Sequence, residues 1–290
     1  MSPPQDAQPT PEAAQLLARA SEWWSTAIVD IEPGKIAMRG LPIEQLIGRI
    51  GFVDMVCLML RGELPTKAHA RLLEAALVAA VDHGPQAPSI AISRMAVTCG
   101  LPINGAMASA INVLDDVHGG AGEQCMQLMT AIAAQKSQGL SLRAIVEQEL
   151  ARFTASHGKI IPGFGHRFHP VDPRSGPLMQ LVLQAAERGE VGGGYVDIAR
   201  TIEAVLSERK GKPIPMNIDA ATAVIFCELG FAPALGRGLF ILSRSVGILA
   251  HAWEQTQQGG RIKGPMPPAI PYRYTGPPRR DFARPQAAND

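Results

Sequence analysis

The chain has 290 residues, enough for one large domain or a large and a small one, with 46% hydrophobic and 18% charged side chains. Twenty-seven basic residues against 26 acidic ones leave a formal charge of +1, which gives no surplus of positive charge for a nucleic-acid or membrane-surface partner. The four cysteines, Cys57, Cys99, Cys125 and Cys227, are scattered without CxxC pairing, three of them inside apolar helical patterns. They read as small hydrophobes of a reduced, cytoplasmic protein, with no disulfide or metal site.

In chain order, the first dozen residues are rich in Pro and Gln and lack the basic and apolar regions of a secretory signal, so they read as a tail. Residues Ser25–Arg39 hold two short apolar segments around Glu32-Pro33-Gly34, which predicts a small hairpin. Thr66 is placed to cap a helix in which Leu72, Leu73, Ala76, Leu77 and Ala80 recur at three- and four-residue steps. The same periodicity predicts helices over about 103–116, 122–135, 141–156, 176–189, 196–209, 219–229 and 235–256. Strands do not alternate with these helices, so a parallel α/β sheet is excluded and the fold class is all-α. Two irregular segments rich in Gly, Pro and charge, 157–175 and 210–218, interrupt the helical run. No apolar run reaches membrane-spanning length, since the best one, around residues 239–253, contains Arg244.

Four short constellations carry chemical interest. In His118-Gly119-Gly120-Ala121-Gly122-Glu123 a histidine precedes two glycines and a helix start, where backbone N–H groups lie open to a ligand; a solvated histidine at a helix entry is the plainer reading. In Gly163-Phe164-Gly165-His166-Arg167, followed by Asp172-Pro173-Arg174, glycines frame a histidine and guanidiniums follow, as for carboxylate or phosphate binding, against an ordinary surface turn. In Asn217-Ile218-Asp219, Asp219 is placed either as a helix N-cap or as a base at a pocket mouth. Arg244 lies within an apolar helix, which calls for an anionic partner, from a structural salt bridge or from a ligand. The histidines show no metal-ligand spacing.

Together with MRGLPI at 38–43, LRGELP at 60–65 and SRSVGILAH at 243–251, these motifs resemble the citrate synthase superfamily, in particular its citryl-CoA lyase branch and the lyase module of ATP citrate lyase. The resemblance spans roughly residues 25 to 275. It implies the citrate synthase fold, a large helical domain (25–194 and 236–275) and a smaller one (195–235) with the active site in the cleft between them, flanked by tails at 1–24 and 276–290. By the same resemblance His118, His166 and Asp219 are the catalytic set. Asp219 handles the proton on the carbon beside the thioester, His118 holds the enolate oxygen, and His166 acts on the keto or hydroxyl oxygen. Arg174 and Arg244 bind substrate carboxylates, and Gly163, Phe164, Gly165 and Arg167 lie beside coenzyme A. The chain has Asp82-His83-Gly84-Pro85 where synthases carry a His-Glu-x-Asn segment. This makes His83 a substrate-binding candidate and favours a lyase. The expected partners are an acyl-CoA and an oxoacid within a homodimer or larger homo-oligomer, with coenzyme A entering as a thioester substrate and no permanent cofactor. A citrate or methylcitrate synthase and a non-catalytic acyl-CoA-binding paralogue are the alternatives.

Overall fold

The computed structural model describes residues 10–136, 139–165 and 170–281. Among them are one small sheet and twelve helices. The predicted hairpin is present: β1 (Val29–Glu32) pairs antiparallel with β2 (Lys35–Met38) across the two-residue turn Pro33-Gly34, and a short β3 (Leu41–Pro42) extends the sheet. Gly34 supplies the positive φ of that turn.

The helices are α1 (Pro11–Trp23), α2 (Ile43–Leu46), α3 (Phe52–Arg61), α4 (Lys67–Ala79), α5 (Pro88–Thr98), α6 (Ile103–Ile111), α7 (Ala121–Ala134), α8 (Leu142–His157), α9 (Ser175–Glu187), α10 (Gly194–Lys210), α11 (Ile218–Glu228) and α12 (Pro233–Gln258). Thr66 caps α4 as predicted, its hydroxyl accepting from His69 N at 3.1 Å. Three differences from the sequence reading have local causes. The stretch expected as an N-terminal tail contains α1, because Thr10 caps it and Pro11 opens it ahead of good helix formers, yet none of its residues is buried. Helix α5 escapes the periodicity test because its buried positions include Ser89, Ser93 and Thr98. The helix expected to reach 116 ends at Ile111, and the following residues turn into the Asp115–Gly119 bridge.

The chain divides into two compact units. The first comprises residues 1–82 and 114–246, the second residues 83–113 and 247–290. In the first, α11 is the core helix. Every residue from Ala220 to Cys227 is buried, which is what a helix apolar all round requires. Buried side chains of α4, α7, α8, α9 and α10, such as Leu73, Met129, Leu150, Val182 and Ile202, join it in one continuous apolar cluster. Burying a residue of this size contributes about 1.5–3 kcal/mol. In the second unit α5 and α6 pack together, and Arg94 on α5 bonds Glu254 and Gln258 at the end of α12, both at 2.5 Å. Ile262 N and Lys263 N donate to Thr98 there as well.

Candidate active site

Two of the motifs, the Gly-Phe-Gly loop and the segment leading into α11, are tied together by backbone pairing. Gly165 N donates to Pro215 O at 2.8 Å, Asn217 N donates to Gly163 O at 2.9 Å, and Phe164 forms a bridge with Met216. Gly163 must be glycine: its φ is +86°, and a Cβ there would sit 2.8 Å from the Ala220 Cβ and 2.9 Å from the Cys125 sulfur. The loop carrying the Gly-Phe-Gly sequence is thereby laid against the segment that launches Asp219. His166 and Arg167, expected as catalytic and coenzyme-binding residues, lie outside the described residues, as does His169.

Of the two roles the sequence left open for Asp219, helix N-cap and base, the first falls to Asn217. Its Oδ1 accepts from Asp219 N at 2.9 Å and Ala220 N at 3.4 Å, while its Nδ2 donates to Gly165 O at 2.8 Å. Asn at this position is a strong cap, and here it also spares the Asp219 carboxylate that duty. Asp219 is half-buried in the first turn of α11. Burial pushes its carboxyl above the ordinary Asp range, and the guanidiniums of Arg174 and Arg244 oppose the shift without cancelling it.

Arg174 is held by Asp172. The fully buried Asp172 carboxylate receives Arg174 N at 3.0 Å, Arg174 Nε at 2.9 Å, Arg174 Nη2 at 2.9 Å and Ile218 N at 3.0 Å. Burial alone would raise its pKa, but these donors and the Arg174 charge together hold it down at about 2. One carboxylate thus locks both Arg174 and the first residue of α11. A guanidinium has five N–H donors, and two are spent on Asp172, so roughly three remain for a ligand.

Arg244 is buried on α12, donates from Nε to Ala80 O at 3.2 Å and stacks over the Phe240 ring at 4.9 Å. Burial lowers its pKa, Asp82 and Asp219 raise it, and Arg174 lowers it. The same Phe240 ring presses on Gly119, where a Cβ would approach it to 3.0 Å at a φ of +111°. Gly120 is likewise obligatory, since a Cβ would fall 2.7 Å from the Asp116 backbone. Half-buried His118 therefore emerges from a turn fitted against the side chain that also carries Arg244. Arg237 fixes that turn by pairing with Asp115 and Asp116 before His118 and with Glu123 after it, the last at 2.9 Å.

The structure accordingly brings Asp219, Arg174 and Arg244 within electrostatic reach of one another and seats the His118 turn against the Phe240 ring over which Arg244 stacks. His83 is exposed and belongs to the second unit. Sequence reasoning quoted Asp172 and Asn217 within motifs but missed their tasks, though an Asp two residues before an Arg and an Asn opening an apolar helix were visible signals. Arg237, and Phe240 toward Gly119, had none, because those partners lie more than a hundred residues away. Among the described residues no group of three or more His, Cys, Asp or Glu is arranged to hold a metal ion. A half-buried carboxyl with a raised pKa, flanked by two guanidiniums, suits proton transfer at carbon next to a carboxylate-bearing substrate.

Residues 65–266 match the family of the citrate synthase C-terminal domain, and the chain belongs to that family. Among solved structures it is similar to citryl-CoA lyase from Hydrogenobacter thermophilus, at 31% identity and a TM-score of 0.79, over 90% of this chain and 97% of that one. It also shares the fold of ATP citrate lyase from Methanothrix soehngenii, a complex with citrate and coenzyme A, at 20% identity and a TM-score of 0.74, over 95% of this chain and 46% of that one. Among curated sequences it is 30% identical to the citrate synthase of Haloferax volcanii over 77% of this chain and 55% of the relative. The chain spans little more than half the length of the curated relatives it matches.

Proposed function

We propose that this protein is a citryl-CoA lyase, cleaving citryl-CoA to acetyl-CoA and oxaloacetate. The observation that carries the reading is Asp219: a carboxyl raised by burial, relieved of helix capping by Asn217, beside Arg174 and Arg244. In the proposed reaction His166 takes the hydroxyl proton of the citryl group. The oxygen's electron pair becomes the new carbonyl bond, the carbon–carbon bond breaks, and its electrons pass into the thioester as an enolate. His118 holds the enolate oxygen, and Asp219 delivers a proton to its carbon. A donor preorganised at the enolate oxygen is worth about 3–4 kcal/mol of barrier. Arg174 and Arg244 bind the carboxylates that end in oxaloacetate. Gly163, Phe164, Gly165 and Arg167 lie beside the coenzyme, which acts as substrate.

The likeness to the Hydrogenobacter lyase over nearly the whole of both chains supports lyase chemistry. The second reading, condensation of an acyl-CoA with oxaloacetate followed by thioester hydrolysis, is favoured by the curated sequence relatives, which are citrate and 2-methylcitrate synthases. As in the family resemblance, residues 195–235 are proposed as a small domain and the working form as a homo-oligomer. Asp219→Asn tests the catalytic assignment, because it keeps the shape and removes the exchangeable carboxyl proton. Turnover should fall at least ~100-fold, the usual scale for losing a positioned acid or base, while coenzyme A binding measured by calorimetry stays within a few-fold. Unchanged turnover would contradict the assignment.

A further inference from the structure

Helix α12 is fastened to the C-terminal end of α4 at two consecutive residues. Ser243 Oγ donates to Leu77 O, and Arg244 Nε donates at 3.2 Å to the carbonyl of Ala80, the cap residue of α4. The last carbonyls of a helix lack the usual partners one turn on and form the negative end of its dipole, so they suit a guanidinium. Two residues beyond Ala80 stands Asp82, half-buried, with its Oδ1 shielded from solvent. Of the Asp82-His83-Gly84-Pro85 segment it is this residue, rather than the exposed His83, whose charge is felt at Arg244.

A buried guanidinium needs a counter-charge. Asp172 is spent on Arg174 and Ile218 N. Asp219, raised by burial, is uncharged in the form that delivers a proton. Asp82 is the carboxylate that remains, and of the charges around Arg244 it acts most strongly in favour of the cation, ahead of Asp219. With Nε on Ala80 O and the Phe240 ring 4.9 Å away, the guanidinium keeps its terminal N–H groups to share between Asp82 and a ligand. The two arginines of the site are then held alike, Arg174 by a carboxylate two residues before it and Arg244 by one supplied from the end of α4.

We infer that Asp82 is a positioning residue for Arg244: its carboxylate holds the guanidinium at the end of α4 in the orientation that meets a substrate carboxylate. The inference rests on our reading of Arg244 as a carboxylate-binding residue of the lyase and adds what aims it.

The test is a double-mutant cycle in the full-length chain, with Asp82→Asn, Arg244→Gln and the two combined. In turnover of citryl-CoA, Asp82→Asn should raise KM roughly tenfold, the scale of one charge-assisted hydrogen bond, and leave kcat within a few-fold, because Arg244 holds the same carboxylate before and during the reaction. In the Arg244→Gln background the same change should leave KM within about twofold. Urea unfolding of the four proteins reads the pair without turnover. Asp82→Asn alone should lower the midpoint, and adding Arg244→Gln should bring it back up, because a buried charge is costly when unpaired. That double variant should therefore fold even if Asp82→Asn alone does not. Equal changes of KM in both backgrounds, or a loss confined to kcat, would overturn the positioning role. So would a double variant less stable than Asp82→Asn alone. A native chain that turns over neither citryl-CoA nor acetyl-CoA with oxaloacetate would sink the lyase reading, while the urea series would still decide the pair.

Discussion

Replacing Asp172 by Asn removes one charge from the most densely hydrogen-bonded part of the site and nearly preserves its shape. In the native protein the two carboxylate oxygens accept four donors, three from Arg174 and one from Ile218 N. The amide has a single acceptor oxygen, and its NH₂ group meets N–H donors where an acceptor stood. The depression of the pKa from 3.8 to about 2 corresponds to about 2 kcal/mol of stabilisation at neutral pH. Adding the cost of buried donors left without acceptors brings the expected loss to about 3–5 kcal/mol, the range for breaking a buried pair. The sign with pH follows from the depressed value: the contribution is complete above the unfolded pKa and lost as pH falls through the folded one. Urea unfolding at pH 7 and pH 3 measures it. At pH 3 the electrostatic part of the gap between native and variant should shrink to about half. A variant within about 0.5 kcal/mol of the native protein at pH 7, or a gap that widens in acid, would refute the reasoning.

Other consequences follow from the same geometry. Arg244→Gln removes one of the two cations that oppose the upward shift of Asp219, so the limb of the pH–kcat/KM profile assigned to Asp219 should move to higher pH; an unmoved limb would exclude Asp219 as its source. Gly163→Ala should destabilise the protein by about 1–3 kcal/mol in denaturant titration, because the added methyl meets Ala220 and Cys125 at a positive φ. Asn217→Ala should cost about 1 kcal/mol as a lost cap and also speed amide exchange at Gly165, whose carbonyl loses its donor. Arg237→Gln should lower kcat and cost about 1–3 kcal/mol in denaturant titration, because the largely buried Glu123 carboxylate loses its cation while the solvated Asp115 and Asp116 lose little.

The helical fold was legible wherever an apolar stripe recurs at three- and four-residue steps, as at Leu72, Leu73 and Ala76. It was less legible where composition misleads: α1 follows a Pro- and Gln-rich start, and α5 buries serine and threonine hydroxyls that periodicity counts as polar. At the site, glycine placement announced the tight turns around His118 and Gly163, and the buried environment of Arg244 followed from its apolar neighbours. Which side chain caps α11 depended on a two-residue offset that a capping preference alone does not resolve, so the cap considered at Asp219 falls on Asn217 instead. Long-range partners were the hardest. The guanidinium of Arg237 meets carboxylates about 120 residues earlier, and no local pattern encodes such a contact.

The most direct test of the central claim is a matched pair of assays on the purified chain, following coenzyme A species by mass spectrometry. One reaction receives citryl-CoA; the other receives acetyl-CoA with oxaloacetate. The account predicts rapid acetyl-CoA and oxaloacetate in the first and little free coenzyme A or citrate in the second. Free coenzyme A and citrate accumulating in the second would make the protein a synthase, and silence in both would contradict the proposed chemistry.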